Sequence, residues 1–305
     1  MIEVLRAGLM DLVMDLGRPG SRGQGVPAGG AADMPALVQA NRLVGNADTA
    51  AGLELLLRGP TLRFARETRI ALTGADMQAR LDGRPVPPGR TQVVSAGGEL
   101  ALGEARAGLR GYLAVAGGID VPLLLGSRAT FLPGGFGGWQ GRALKAGDRL
   151  PLGEAGGRRI GRLPQAAAAE APLRVVPGPQ LAGFADRAIE ALVSAEFRLT
   201  AQADRAGLRL AGPVLDHAGG ELASQAVLPG AIQVPPDGQP IILGWDGPVT
   251  GGYPVIAGII AADLHRLAQM APGTRLKFAF VTPQEARQAW QRLQADMDGA
   301  IAWES

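Results

Sequence analysis

Short apolar runs of β type, each cut off by glycine or proline, recur along the whole chain. This punctuation restricts the fold more than any other feature. A run of about four to eight alternating residues suits one strand and is too short for an ordinary helix. Turn residues at close spacing then make the strands many, which is the pattern of a barrel or sandwich. The 46 glycines and 23 prolines of the 305 residues fall largely at such breaks, as in Gly29-Gly30, Gly117-Gly118 and Gly251-Gly252. The first half reads as strands at 2–5, 52–57, 68–74, 77–83, 90–97, 98–104, 110–118 and 147–152. The second half repeats the style at 173–176, 196–200, 207–211, 231–234, 240–244, 253–256 and 274–281. Asp82-Gly83 is a hairpin signal between two such runs.

Helical patterns are few. One starts at Asp33 as N-cap, with Pro35 in its first turn and Leu37, Ala40 and Val44 on one face, and stops at Gly45-Asn46. Others read over 181–194 and 262–270. The clearest is 282–297, where Thr282, Pro283 and Glu285 form a capping box with proline at the first helical position. The Ala/Pro-rich stretch 163–172 carries no core pattern and reads as a linker. The chain is therefore expected to be mainly β with a few helices, in halves 1–165 and 172–305, with chain exchange between them allowed for.

Thirty basic residues face 28 acidic ones, and only 4% of residues are aromatic, so no basic stripe with interleaved aromatics invites nucleic acid. Zero cysteines exclude disulfides and thiol chemistry. With two histidines, His217 and His265, and no HExxH pattern, no metal site is expected. No apolar run approaches the roughly 20 residues of a membrane span, and the start "MIEVLRAGLM" does not read as a signal peptide, so a cytoplasmic protein is expected. There is no GxSxG elbow and no Walker A ending. The glycine-rich stretch 134–148 could cradle an anion but reads better as a mobile turn.

Three polar constellations remain. One is the glycine-rich loop from Asp15 to Asp33, with Arg18 and Arg22 inside it. Another is "AQADRAGLRL", where Asp204-Arg205 precedes a strand; the plainer reading there is a turn with a local ion pair. The last is "GAIQVPPDGQPIILGWDGPVTGGYPV", residues 230–255, which lacks His, Cys, Lys and Ser altogether.

Together with "LRGYLAVAGGIDVPLLLGSRATFLPGGFGG", these segments resemble the allophanate-hydrolase-subunit-2 family, whose members are mostly described as the C subunit of prokaryotic 5-oxoprolinase or as biotin-dependent carboxyltransferase family proteins. The resemblance covers nearly the whole chain. It implies two cyclophilin-like β-barrel domains. It also implies a subunit-1-like partner, the B subunit of 5-oxoprolinase, and a third partner, the A subunit. The complex so implied hydrolyses ATP and opens 5-oxoproline to L-glutamate; this chain alone would be inactive, and its ATP site cannot be placed. An alternative is a carboxyltransferase moving a carboxyl group to urea or a related amide from carboxybiotin carried on another chain. The nearest approach here to a biotin-attachment lysine is Lys145 in "ALKAGD". A second alternative is a regulator acting through a subunit-1-like kinase inhibitor. The chain departs from the family pattern at "GVPAGGAAD", Met14-Asp15, "QADRAGLRL" and "GWDGPVTGGYP", each time losing a polar group.

Under this resemblance the polar residues acquire expected roles. Gln233 and Gln239 offer amides that both donate and accept, which suits a small amide or lactam. Asp204 or Asp237 could accept a ligand N–H or take a proton, and Tyr253 could donate to a developing oxyanion. Arg205 or Arg18 could hold a carboxylate, with Asp15, Asp33 and Thr250 as further binding residues. Such a site binds and orients without a covalent nucleophile.

Overall fold

A computed structural model of the chain describes residues 1–157, 160–164, 171–217 and 222–304. Most of the expected linker, residues 165–170, lies outside them. The chain divides into two compact units: Met1–Arg18, Gly29–Ala166 and Asp296–Ser305 form the first, and Pro19–Ala28 with Ala167–Ala295 the second.

The first unit is built on two antiparallel sheets. One orders its strands 149–150, 2–6, 61–64, 99–101, 80–81 and 84–85; the other orders them 10–14, 52–56, 110–115, 68–74 and 91–94. Ile2, Val4, Leu62 and Phe64 from the first and Leu53, Leu55, Leu113 and Val115 from the second meet in one apolar core. Alternation sends the remaining residues of strand 110–115 the other way. There Tyr112 and Ala114 pack beneath helix α1, Met34–Leu43, whose Leu37, Ala40 and Leu43 are fully buried. Asp33 caps α1 as expected, its carboxylate accepting from Ala36 N–H at 3.0 Å. Asp82 and Gly83 take φ of 49° and 78°, the left-handed pair that a two-residue hairpin needs, between strands 80–81 and 84–85.

The second unit carries an eight-stranded sheet, ordered 275–276, 197–203, 207–211, 241–243, 231–233, 255–259, 173–177 and 278–280. Its two outermost strands are separated in sequence by Lys277 alone. The sheet must therefore roll until its edges nearly meet, forming a β-barrel. A short ladder pairs Gln225–Ala226 with Thr250–Gly251. Helix α2, Asp186–Ser194, is shorter than the 181–194 expected, because Phe184 and Ala185 are extended and leave a separate 3₁₀ turn at Leu181–Gly183. Helix α3 spans Ala261–Ala268, and α4 spans Pro283–Gly299 behind the expected capping box of Thr282 and Glu285. Ala289, Trp290 and Leu293 of α4 pack against Ile260 and Ala262. The fold is mainly β, as the punctuation indicated.

Candidate functional site

In the first unit the charged residues of the Asp15–Asp33 loop are held by the protein itself. Asp15 stands at the end of strand Met10–Met14 and is almost fully buried. Its Oδ1 accepts from Gly17 N–H at 2.8 Å and Ser127 Oγ at 2.6 Å, and its Oδ2 from Arg128 N–H at 2.5 Å. Arg18 has no exposed surface, donates to the Ala129 carbonyl and lies over the Phe136 ring with its guanidinium carbon 5.2 Å from the centroid. Of the glycines in the stretch 134–148, Gly137 stands against this side chain, where a Cβ would come within 3.1 Å of Arg18 Nη2. A Cβ on Gly137 would fall 2.2 Å from the Ala129 carbonyl, and one on Gly138 1.9 Å from Thr130 Oγ1. Close backbone approach is what these positions require.

Asp33 belongs to a buried network that sequence reading missed. Its N–H donates to Tyr112 Oη at 2.7 Å, and Tyr112 donates to Glu54 Oε2 at 2.8 Å. The same oxygen accepts from Ala32 N–H at 2.8 Å, and Arg110 Nε lies 3.6 Å from Glu54 Oε1. Burial, reinforced by the neighbouring Glu54 charge, holds the Tyr112 phenol well above its usual range, so it stays a neutral donor. The only sequence signal for this network was a lone glutamate inside the apolar run "GLELLL".

In the second unit Arg205 and Asp246 form a buried ion pair, with Nε to Oδ2 at 2.7 Å and Nη2 to Oδ1 at 3.1 Å. The carboxylate facing Arg205 is thus the chain's own, from "GWDGP". Asp204 is exposed and closes a turn, its Oδ1 accepting from Ala206 and Gly207 N–H at 2.7 and 3.0 Å. It borders a groove of about 590 Å³, lined also by Gln202, Arg209, Ile241, Leu243 and Pro248. Asp237 accepts from Gln239 N–H at 3.0 Å. The Gln239 amide brackets the backbone of Gly212, accepting from its N–H at 3.1 Å and donating to its carbonyl at 3.2 Å. Among the described residues no hydrogen bond joins the side chains of Asp204, Asp237 and Tyr253.

Gln233 is placed differently. It is nearly buried on strand Ala231–Gln233, and its Nε2 donates to the Tyr253 carbonyl at 3.2 Å. A Cβ on Gly251 would lie 2.5 Å from that Nε2, so the amide rests against a bare stretch of backbone. Thr250 is exposed beside it. Two further amides, absent from the sequence expectation, stand close by: Gln180 accepts from Val255 N–H at 2.9 Å and donates to Gln225 Oε1 at 3.2 Å. Arg22 fastens the nearby backbone of the same unit by donating to the carbonyls of Val227 and Val249, the latter at 3.4 Å. The structure therefore gathers Gln233, the Tyr253 carbonyl, Gly251, Gln225 and Gln180. It assigns Asp15, Arg18, Asp33, Arg205 and Gln239 to internal bonding. Among the described residues no cluster of three or more acidic or histidine side chains could hold a metal ion.

The profile of the carboxyltransferase domain, subdomains A and B, matches residues 24–280. The chain belongs to this family. It is 42% identical to the C subunit of 5-oxoprolinase from Escherichia coli K12, over 99% of this chain and 98% of that protein. It is 38% identical to the protein of the same name from Haemophilus influenzae, over 94% and 93% respectively. The crystal structure of the Kluyveromyces lactis urea amidolyase superposes with a TM-score of 0.90 at 31% identity, covering 97% of this chain and 20% of that one.

Proposed function

We propose that this chain is the C subunit of an ATP-dependent 5-oxoprolinase complex, acting with the A and B subunits to open 5-oxoproline to L-glutamate. The 42% identity spanning 98% of a protein of that name carries the reading. The chemistry of the second unit supports it. A lactam presents a carbonyl acceptor beside an N–H donor, and glutamine amides offer the complementary pair. ATP, held by the complex, supplies the activation that an unreactive lactam needs. This chain's own share is to fix the ring and keep water from it, which lowers the barrier through orientation. Alone it is inactive.

The urea amidolyase likeness favours a second reading, in which the same surface accepts a ureido group and carboxyl transfer replaces lactam opening. The two separate in one experiment. The chain is co-expressed with the neighbouring A and B subunits, and glutamate release from 5-oxoproline is followed with and without ATP. The expected outcome is ATP-dependent glutamate that disappears when this chain is omitted. An assembled complex that makes no glutamate overturns the reading.

A further inference from the structure

Gln180, Gln225 and Gln233 of the second unit are not equally satisfied in their hydrogen bonds. A carboxamide can be turned over by 180°, so its orientation has to be deduced from its partners. Here the partners leave no choice. Val255 N–H can only donate, so the Gln180 atom it meets is Oε1. Gln180 then faces Gln225 with its NH₂, and the Gln225 atom that accepts is Oε1. The relay runs from a backbone N–H through two side chains and ends on Gln225 Nε2. That NH₂ is shut off from solvent and has no hydrogen-bond partner.

A buried donor left unsatisfied costs about 1–3 kcal/mol. Such a cost at the end of an otherwise satisfied relay asks for an acceptor that arrives from outside the chain. The surroundings say which kind. Gln225 lies directly opposite Gly251 in the short ladder. Directly opposed residues project to the same face of a sheet. The Gln225 side chain and the space where a Gly251 side chain would stand therefore share one face. The Gln233 amide occupies that face, with its Nε2 2.5 Å from the missing Cβ position. Gln233 spends its Nε2 on the Tyr253 carbonyl, and its Oε1 makes no hydrogen bond to the described residues. One face thus presents an unused N–H donor from Gln225 and an unused acceptor from Gln233.

We propose that Gln225 and Gln233 together read a cis amide edge: Gln225 Nε2 donates to the ligand carbonyl and Gln233 Oε1 accepts the ligand N–H. Gln180 positions Gln225 by holding its Oε1, which leaves the Nε2 end of the amide without a partner. A lactam and a cyclic ureido group both carry this edge, and a carboxylate does not. The inference rests on the 5-oxoprolinase reading for its substrate, while the amide edge itself is independent of it.

The test is Gln225→Glu in the assembled complex. The variant is isosteric and keeps an oxygen for Gln180 to donate to, but replaces the NH₂ by an acceptor. The expected result is a KM for 5-oxoproline raised about tenfold or more with kcat within about twofold, a single cooperative melt at a somewhat lower temperature because a carboxyl now stands where solvent is shut out, and a similar KM rise in Gln180→Glu. Free biotin, which carries the ureido edge, should inhibit the wild-type complex competitively and the variant at least tenfold less. A KM unmoved in a well-folded variant overturns the inference while leaving the 5-oxoprolinase reading intact. A wild-type complex without glutamate release defeats that reading. Saturable biotin binding to that complex, lost in Gln225→Glu, would then still uphold the amide edge, and its absence or persistence in the variant would defeat the edge as well.

Discussion

The two units hold motif residues of similar polarity in opposite conditions. In the first, Asp15, Arg18 and Asp33 sit in a glycine-rich loop that reads as functional, yet Asp15 is bonded through three donors and Asp33 caps a helix. In the second, Gln233 and Gln225 carry no charge, yet each keeps bonding capacity that nothing in the described chain uses. Charge in a motif marks where a fold is pinned as readily as where a ligand binds. Leftover hydrogen-bond capacity is the sharper sign of a ligand where, as at Gln225 and Gln233, a donor and an acceptor share one face; a lone unbonded atom such as Asp11 Oδ1 is not one.

The largest expected effect tests the pinned side. Asp15→Ala removes three acceptor contacts from buried donors, and should cost about 3–5 kcal/mol. A fall of roughly 10 °C in the melting of the first unit follows, readable by calorimetry. Full stability with lost catalysis would instead make Asp15 a ligand residue and erase the contrast.

A smaller effect comes from Asp11, also in the first unit. Burial pushes its carboxyl up to about 6, against weaker lowering by the Gly8 N–H and the Arg58 and Arg6 charges. Its Oδ2 accepts from Gly8 N–H at 2.5 Å, while its Oδ1 is buried and unbonded. A carboxyl raised on folding stabilises below its unfolded value, near 4, and that contribution is lost as pH rises through about 6. Asp11→Asn should therefore raise stability by about 1–3 kcal/mol at pH 8 and change it little at pH 4. Equal shifts at both pH values in urea melts would contradict the buried acid.

Gly251→Ala probes the open side with the least structural disturbance. Its backbone is not in the left-handed region, and the atoms nearest the added methyl are those of the terminal amide of Gln233. Stability should change by less than about 1 kcal/mol while the displaced amide raises the KM for 5-oxoproline about tenfold. A variant with unchanged KM places the lactam elsewhere, with the groove beside Asp204 and Arg209 as the next place to look.

Much of the fold was legible because turn chemistry is local. The left-handed Asp82-Gly83 pair and the Thr282–Glu285 box follow from a few neighbouring residues. Strand Met10–Met14 was not, since "MDLVM" buries Asp11 as well as its apolar residues and so hides the alternation. The helix expected over 181–194 was too long because nothing local announces the extended pair Phe184-Ala185. Of the candidate site, the sequence pointed to Gln233 and its neighbours of the 230–255 segment. Gln180 and Gln225 acquire meaning through contacts 75 and 45 residues apart in sequence, which no spacing rule reaches.

The central claim, that uncharged amides of the second unit read the substrate, is tested most directly by side-chain amide spectroscopy. The chain, labelled with ¹⁵N at glutamine and assembled with unlabelled A and B subunits, is titrated with 5-oxoproline. The account predicts saturable shifts of the Gln225 and Gln233 NH₂ signals, while Gln239, which clasps Gly212, stays still. Glutamate-producing complex in which Gln225 and Gln233 do not respond would contradict it.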